Sequence, residues 1–189
     1  NDGHSIVFGS RESGKSTLLY RVFSDYLKCS LETNIYPLYV DLKHTEEENF
    51  FEILKKGYPC IEKFIASRDI ILLIDNLDII NKALVSSISD YIKIINCKKA
   101  ILTSSLMVSG EIPFEFYDTP INSFSTIKIR PLTIKKVETL TKKWFSGKGS
   151  YEDEVIAKII DFAKEYYVPT YPVYVSMFLW LSEQKKNVL

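Results

Sequence analysis

The stretch that most constrains this chain is "SIVFGSRESGKSTLL", residues 5 to 19. An apolar run stops at Gly9, the segment "GSRESGKS" follows, and helical spacing resumes through Leu18, Leu19, Val22, Phe23 and Tyr26. Gly9, Gly14, Lys15 and Ser16 spell G-x-x-x-x-G-K-S, the pattern of a phosphate-binding loop. Glycines let successive backbone N–H groups curl around a phosphate at the positive end of the following helix. The lysine then reaches the β- and γ-phosphates, and the serine hydroxyl ligates Mg²⁺. The expected contact set is Gly9, Ser10, Arg11, Glu12, Ser13, Gly14, Lys15, Ser16 and Thr17. Arg11 and Glu12 hold x positions, which ordinarily face solvent; contact with phosphate or a neighbouring subunit is their functional alternative.

A strand feeding such a loop and then a helix calls for a parallel α/β layout, and the next segments supply it. "IYPLYVDL" (35–42) is rich in β-branched and aromatic residues, and "DIILLID" (69–75) is apolar on both alternating faces. "KKAILTSS" (98–105) reads as a further buried strand and "FSTIKIRPL" (124–132) as another. Between them, "TEEENFFEILKKG" opens with a T-x-x-E capping box, Thr45 to Glu48, and "NKALVSSISDYIKIIN" places Leu84, Ile88, Tyr91, Ile92 and Ile95 on one stripe. After Pro131 the pattern changes to three helical segments, 132–145, 150–167 and 171–186. The expected organisation is a P-loop core over 1–131 and a small helical subdomain over 132–189.

Two strand ends add chemistry. Asp75 closes "ILLID" where Mg²⁺ needs a second protein contact, directly or through water, in the crevice that ligands of open α/β sheets prefer. Asp78 follows three residues on, either as general base and water-orienting group or as a cap on the next helix. "AILTSS" ends in hydroxyls, of which Thr103 or Ser104 is placed to bond an attacking water or the γ-phosphate. The candidate catalytic set is therefore Lys15, Asp75, Asp78 and Thr103, and the candidate metal ligands are Ser16 and Asp75.

Other features are bland. Acids and bases balance at 24 each, so net charge does not indicate nucleic acid or anionic membrane. Cys29, Cys60 and Cys97 are scattered without CxxC spacing, as in a reducing, cytoplasmic compartment. No apolar run approaches the ~18 residues of a membrane span. The chain opens on "NDGH" without methionine, which suggests a piece of a longer protein. His4 and His44 lack metal-ligand partners at useful spacing, and Arg130 at a strand exit reads as a surface residue or a contact to nucleotide or a neighbouring protomer. Tyr166, Tyr167, Tyr171 and Tyr174 read as helix packing, with one available to stack on a base.

Guanine recognition needs an N-K-x-D motif, and Asn81–Lys82 is followed by Ala83 and Leu84. The combination that remains resembles the STAND/NACHT-like signalling ATPases, AAA+-related proteins, particularly those of prokaryotic defence. The resemblance runs from about Ser5 to Leu181 and rests on "IVFGSRESGKSTLL", "YPLYVDL", "LLIDNLD" as an hhhhD-x-x-D Walker B, "IKIRPLTIKKVETLTKKWF" as the lid entry, and "PTYPVYVSMFL" as the proline motif. It implies a five-stranded, mainly parallel sheet flanked by helices, plus a helical lid, with ATP or ADP and Mg²⁺ bound between them and Pro172 near the adenine. It also implies a switch whose nucleotide state controls conformation and self-association of a larger signalling or antiviral protein answering an unknown trigger. Two departures favour slow hydrolysis of the β–γ phosphoanhydride: Ser105 stands where many relatives carry arginine, and no winged-helix region follows before Leu189. The alternatives are an initiator-like AAA+ ATPase acting on DNA and, against the absence of arginine after residue 131, a small-molecule P-loop kinase.

Overall fold

The computed structural model describes residues 3–66, 68–77, 82–95, 97–105, 119–145 and 150–186. By internal packing the chain divides into two units, Asn1–Arg11 with Lys15–Ile129, and Glu12–Gly14 with Arg130–Leu189.

The first unit is built on β1 (Ser5–Phe8), β2 (Ile35–Asp41), β3 (Asp69–Asp75), β4 (Lys99–Ser104) and β5 (Ser125–Lys128). They form one five-stranded sheet in the order β2-β3-β4-β1-β5, and every pairing is parallel. The doubly apolar strand β3 lies inside the sheet, where both its faces are covered. Ile70, Leu72 and Ile74 enter one core with Ile6, Phe8, Phe50, Leu54, Val85 and Ile88. Ile71 and Leu73 enter another with Leu19, Val22, Phe23 and Tyr26 of α1 (Lys15–Thr33). Period-two alternation thus divides each strand between two layers. Each fully buried leucine or isoleucine contributes about 1.5–3 kcal/mol, so β3 anchors the fold.

The expected capping box does not form. α2 spans Phe50–Gly57 with Asn49 as N-cap, its side chain accepting from the Phe51 N–H at 3.0 Å. Thr45 instead accepts from the Glu47 N–H at 3.3 Å within the preceding loop. Burial decides the start: Phe50 and Leu54 are both wholly inside the core, one turn apart. A short helix α3 (Ile61–Ile65) follows, too brief for its periodicity to register in sequence. α4 covers Lys82–Ile94. β5 pairs with β1 at the sheet edge and all four of its residues are exposed, unlike the interior strands.

In the second unit, α5 (Ile134–Phe145), α6 (Ser150–Glu165) and α7 (Pro172–Lys186) bury Val137, Phe145, Val155, Ile159, Val175 and Leu179 against one another. Leu132 and Thr170 tie its entry: the Leu132 N–H donates to the Thr170 carbonyl at 2.8 Å, and the Thr170 hydroxyl to the Leu132 carbonyl at 2.7 Å. Proline at the first position of α7 suits a helix start, where its missing N–H has no intrahelical partner to lose. Among the described residues no helix is long and apolar enough to cross a membrane.

Candidate functional site

Parallel strands deliver their C-terminal ends to one side of the sheet, and there β1 leads into the loop Gly9–Ser16. Gly14 takes φ +97°, a left-handed value at which a side chain would be strained. Glu12 also has positive φ, 64°. Lys15 is the first residue of α1 and is buried, with its Nζ donating to the Gly9 carbonyl at 2.9 Å and the Ser10 carbonyl at 2.7 Å. Burial pushes the Lys15 amine below its usual range, while the charge of Asp75 pushes it back up. The two groups therefore influence one another although Lys15 follows β1 and Asp75 ends β3, strands that are not neighbours.

β4 fills the space between β1 and β3, and its register explains what surrounds Asp75. On β2, β3 and β4 the odd-numbered residues face α1, which brings Tyr39, Asp75 and Thr103 to one face. Asp75 is 1% exposed and its carboxylate is bonded at both ends. Oδ1 accepts from the Thr103 hydroxyl and from the Asn76 N–H at 3.1 Å; Oδ2 accepts from the Tyr39 hydroxyl at 3.0 Å. Asn76, at φ 58°, turns the chain sharply after β3, and its side-chain amide donates to Asp41 at 2.8 Å. Its N–H also reaches Thr103 Oγ1 at 3.1 Å, so the Thr103 oxygen donates to Asp75 and accepts from Asn76.

Of the expected site residues, Gly9, Ser13 and Lys15 are buried, Gly14 and Ser16 are half-buried, and Ser10, Arg11, Glu12 and Thr17 are exposed. Ser13 belongs with the second unit by its packing, and its hydroxyl is buried without a hydrogen-bond partner among the described residues. Glu12, in the same unit, accepts from the Tyr174 hydroxyl. Pro172 begins α7. Asp78 lies outside the described residues. Arg130 is exposed, and Ser104 is wholly buried. His4 packs on Phe124 and accepts the Ala100 N–H on Nδ1 at 3.0 Å, a structural role.

Tyr39 is the residue that sequence reasoning missed. Its ring stacks on Tyr20 at 4.7 Å and meets Phe23 edge-on, and burial first, then hydrogen bonds with Tyr20 and Asp75, holds its phenol well above its usual pKa. Its hydroxyl donates to Asp75 Oδ2. The available signal was an aromatic two residues before the end of a strand adjacent to the one ending in Asp75.

The donor chemistry fits a phosphate with a hard cation. Oxygen ligands such as Ser16 and Asp75 are the type Mg²⁺ takes, usually one or two from protein with the remainder from phosphate and water. Among the described residues no cluster of three or more His, Cys, Asp or Glu side chains is arranged to hold a metal.

No protein-family model and no curated protein matches the sequence. Solved structures do match in fold. The Aeropyrum pernix ORC1 protein, determined in complex with DNA, is similar with a TM-score of 0.62 at 12% identity, over 99% of this chain and 55% of that one. A Pyrococcus horikoshii signal transduction ATPase with numerous domains (STAND) and a tetratricopeptide repeat sensor gives 0.51 at 16% identity, over 94% of this chain and 27% of that one. Domain III of the Thermotoga maritima replication initiation protein DnaA gives 0.50 at 11% identity, over 94% and 83%. The chain thus spans about half the length of the ORC1 protein and about a quarter of the STAND protein. With its all-parallel sheet and its phosphate-type loop, the chain has the α/β P-loop NTPase fold.

Proposed function

We propose that this chain is the adenine-nucleotide-binding module of a STAND-type switch, in which ATP or ADP sets the conformation and self-assembly of a larger signalling or antiviral protein. The observation that carries the reading is the meeting of three strand ends. Lys15 follows β1, Asp75 closes β3, and Thr103 on β4 links to Asp75, so a cation, a carboxylate and a phosphate-type loop converge.

In this reading the backbone of Gly9–Ser16 and the buried Ser13 hydroxyl receive phosphate oxygens. Lys15 exchanges its Gly9 and Ser10 carbonyls for the β- and γ-phosphates. Ser16 and Asp75 hold Mg²⁺, which when bound offsets charge on the phosphates. Thr103 serves as a positioning residue, since its hydroxyl hydrogen is directed at Asp75 rather than at a water. Turnover is slow, by in-line attack of water on the γ-phosphate, with Asp78 as the group that orients that water. Pro172 is the residue that the resemblance to STAND-type ATPases assigns to the adenine. Slow turnover suits a switch, because the nucleotide state must outlast the signal it encodes.

The assembly part of the proposal is tested on the full-length protein by measuring its mass in solution with ADP and with a non-hydrolysable ATP analogue. A larger mass with the analogue supports the switch; identical masses remove it. A nucleotide-dependent gain of mass only on duplex DNA would favour an initiator-like ATPase instead.

A further inference from the structure

A carboxylate offers about four acceptor positions, two on each oxygen. At Asp75 the Thr103 hydroxyl and the Asn76 N–H take both on Oδ1, and the Tyr39 hydroxyl takes one on Oδ2. Among the described contacts one position is left, and it is on Oδ2. Tyr39 therefore determines where that remaining lone pair points. Its ring is fixed on three sides: it stacks on Tyr20, meets Phe23 edge-on, and shares the α1-facing core with Leu73. The strand beneath is held too. The Tyr58 hydroxyl accepts the Tyr39 N–H at 3.0 Å and donates to the Tyr39 carbonyl at 2.9 Å, closing the free edge of β2 at that residue. Such a rigidly seated donor is suited to orient another group.

We propose that Tyr39 is a positioning residue for Mg²⁺: by occupying one acceptor site of Asp75 Oδ2 it leaves a single, oriented site for the metal or a metal-bound water. This rests on the nucleotide-binding reading above and adds to it a residue from β2, outside the loop and the strand ends that bear Asp75 and Thr103. Without the hydroxyl, Oδ2 has no protein donor among the described contacts and two equivalent acceptor positions, so the carboxylate can rock about its pinned Oδ1. Metal capture weakens while phosphate binding by the loop does not.

The test uses the whole chain and its Tyr39→Phe variant, which keeps the ring. A fluorescent ATP analogue is titrated first in EDTA, and Mg²⁺ is then added back at fixed nucleotide. The expected result is metal-free affinity within about twofold of wild type and a half-saturating Mg²⁺ concentration raised about tenfold, the size expected when one bond to a charged group is lost. An unchanged Mg²⁺ requirement overturns the proposal, and a lowered one overturns it in favour of competition between Tyr39 and the metal. Tyr20→Leu, at a 55% exposed position, removes both the ring stacked on Tyr39 and the hydrogen bond between the two hydroxyls while leaving the Tyr39–Asp75 pair in place, and it decides the matter should Tyr39→Phe fail to fold. It is expected to raise the Mg²⁺ requirement about threefold, part of the full loss of that bond; no change in it overturns the proposal. Wild-type protein that binds no ATP overturns the nucleotide reading and this inference together. Wild-type binding with an unmoved Tyr39→Phe titration overturns this inference alone.

Discussion

Replacing Thr103 with valine isolates the bond that joins β4 to the strand-end carboxylate. Thr103 is wholly buried, so water has no access to the position its hydroxyl leaves beside Asp75 Oδ1. Valine has nearly the same volume, so no cavity is added. Two interactions change: Asp75 Oδ1 loses the threonine donor, and the Asn76 N–H keeps only Asp75 as acceptor. A hydrogen bond to a charged group contributes about 1.5–3 kcal/mol, and the desolvated carboxylate has no compensation for its loss. Thr103→Val should therefore cost about 2–3 kcal/mol, or about 4–12 °C in Tm for a chain of this length. Thr141→Val is the matched control. Thr141 is equally buried, but its hydroxyl donates to the Val137 carbonyl at 2.9 Å, a neutral group inside α5, and its loss should cost under about 1 kcal/mol. Circular-dichroism melts of both variants give the comparison. Equal shifts, or a Thr103→Val shift of less than about 2 °C, would refute the charge-assisted bond as the source of stability.

Two further outcomes follow from single residues. Burial lowers the His4 pKa, so the unfolded state binds more protons below the ordinary histidine value of about 6.5; the contribution of His4 is complete above that pH and lost as pH falls below it. His4→Asn, which can still accept the Ala100 N–H, should flatten the fall in Tm between about pH 7.5 and 5.5, and an unchanged slope would count against it. Cys97 is buried and its thiol is pushed up to about 11, whereas Cys29 and Cys60 are exposed. Mass spectrometry after brief iodoacetamide treatment at neutral pH should find Cys29 and Cys60 alkylated in the native protein, with Cys97 joining only in denaturant; early labelling of Cys97 would contradict the packing around β3.

Much of this architecture was legible because apolar periodicity and the phosphate loop are local signals. "DIILLID" announced a strand covered on both faces, and β3 is one; "GSRESGKS" located the turn into α1. What was not legible depends on pairing between distant segments. Nothing in the sequence says that β4 inserts between β1 and β3, and the Tyr39–Asp75 bond exists only because β2 and β3 lie in register, with Tyr39 opposite Leu73. The start of α2 was misjudged for a related reason. Thr45 and Asn49 are both good caps, and the tertiary burial of Phe50 and Leu54 chose the second. β5 shows the converse, since a β-rich sequence gives no indication that its strand forms an exposed edge.

The central claim is that Gly9–Ser16 with Lys15 is a working nucleotide cradle. Titration calorimetry with ATP and Mg²⁺ on the whole chain and on Lys15→Ala tests it directly, with a melt to establish that the variant remains folded. The account predicts saturable binding by the wild type and none by the folded variant. Equal affinity in the two would contradict it.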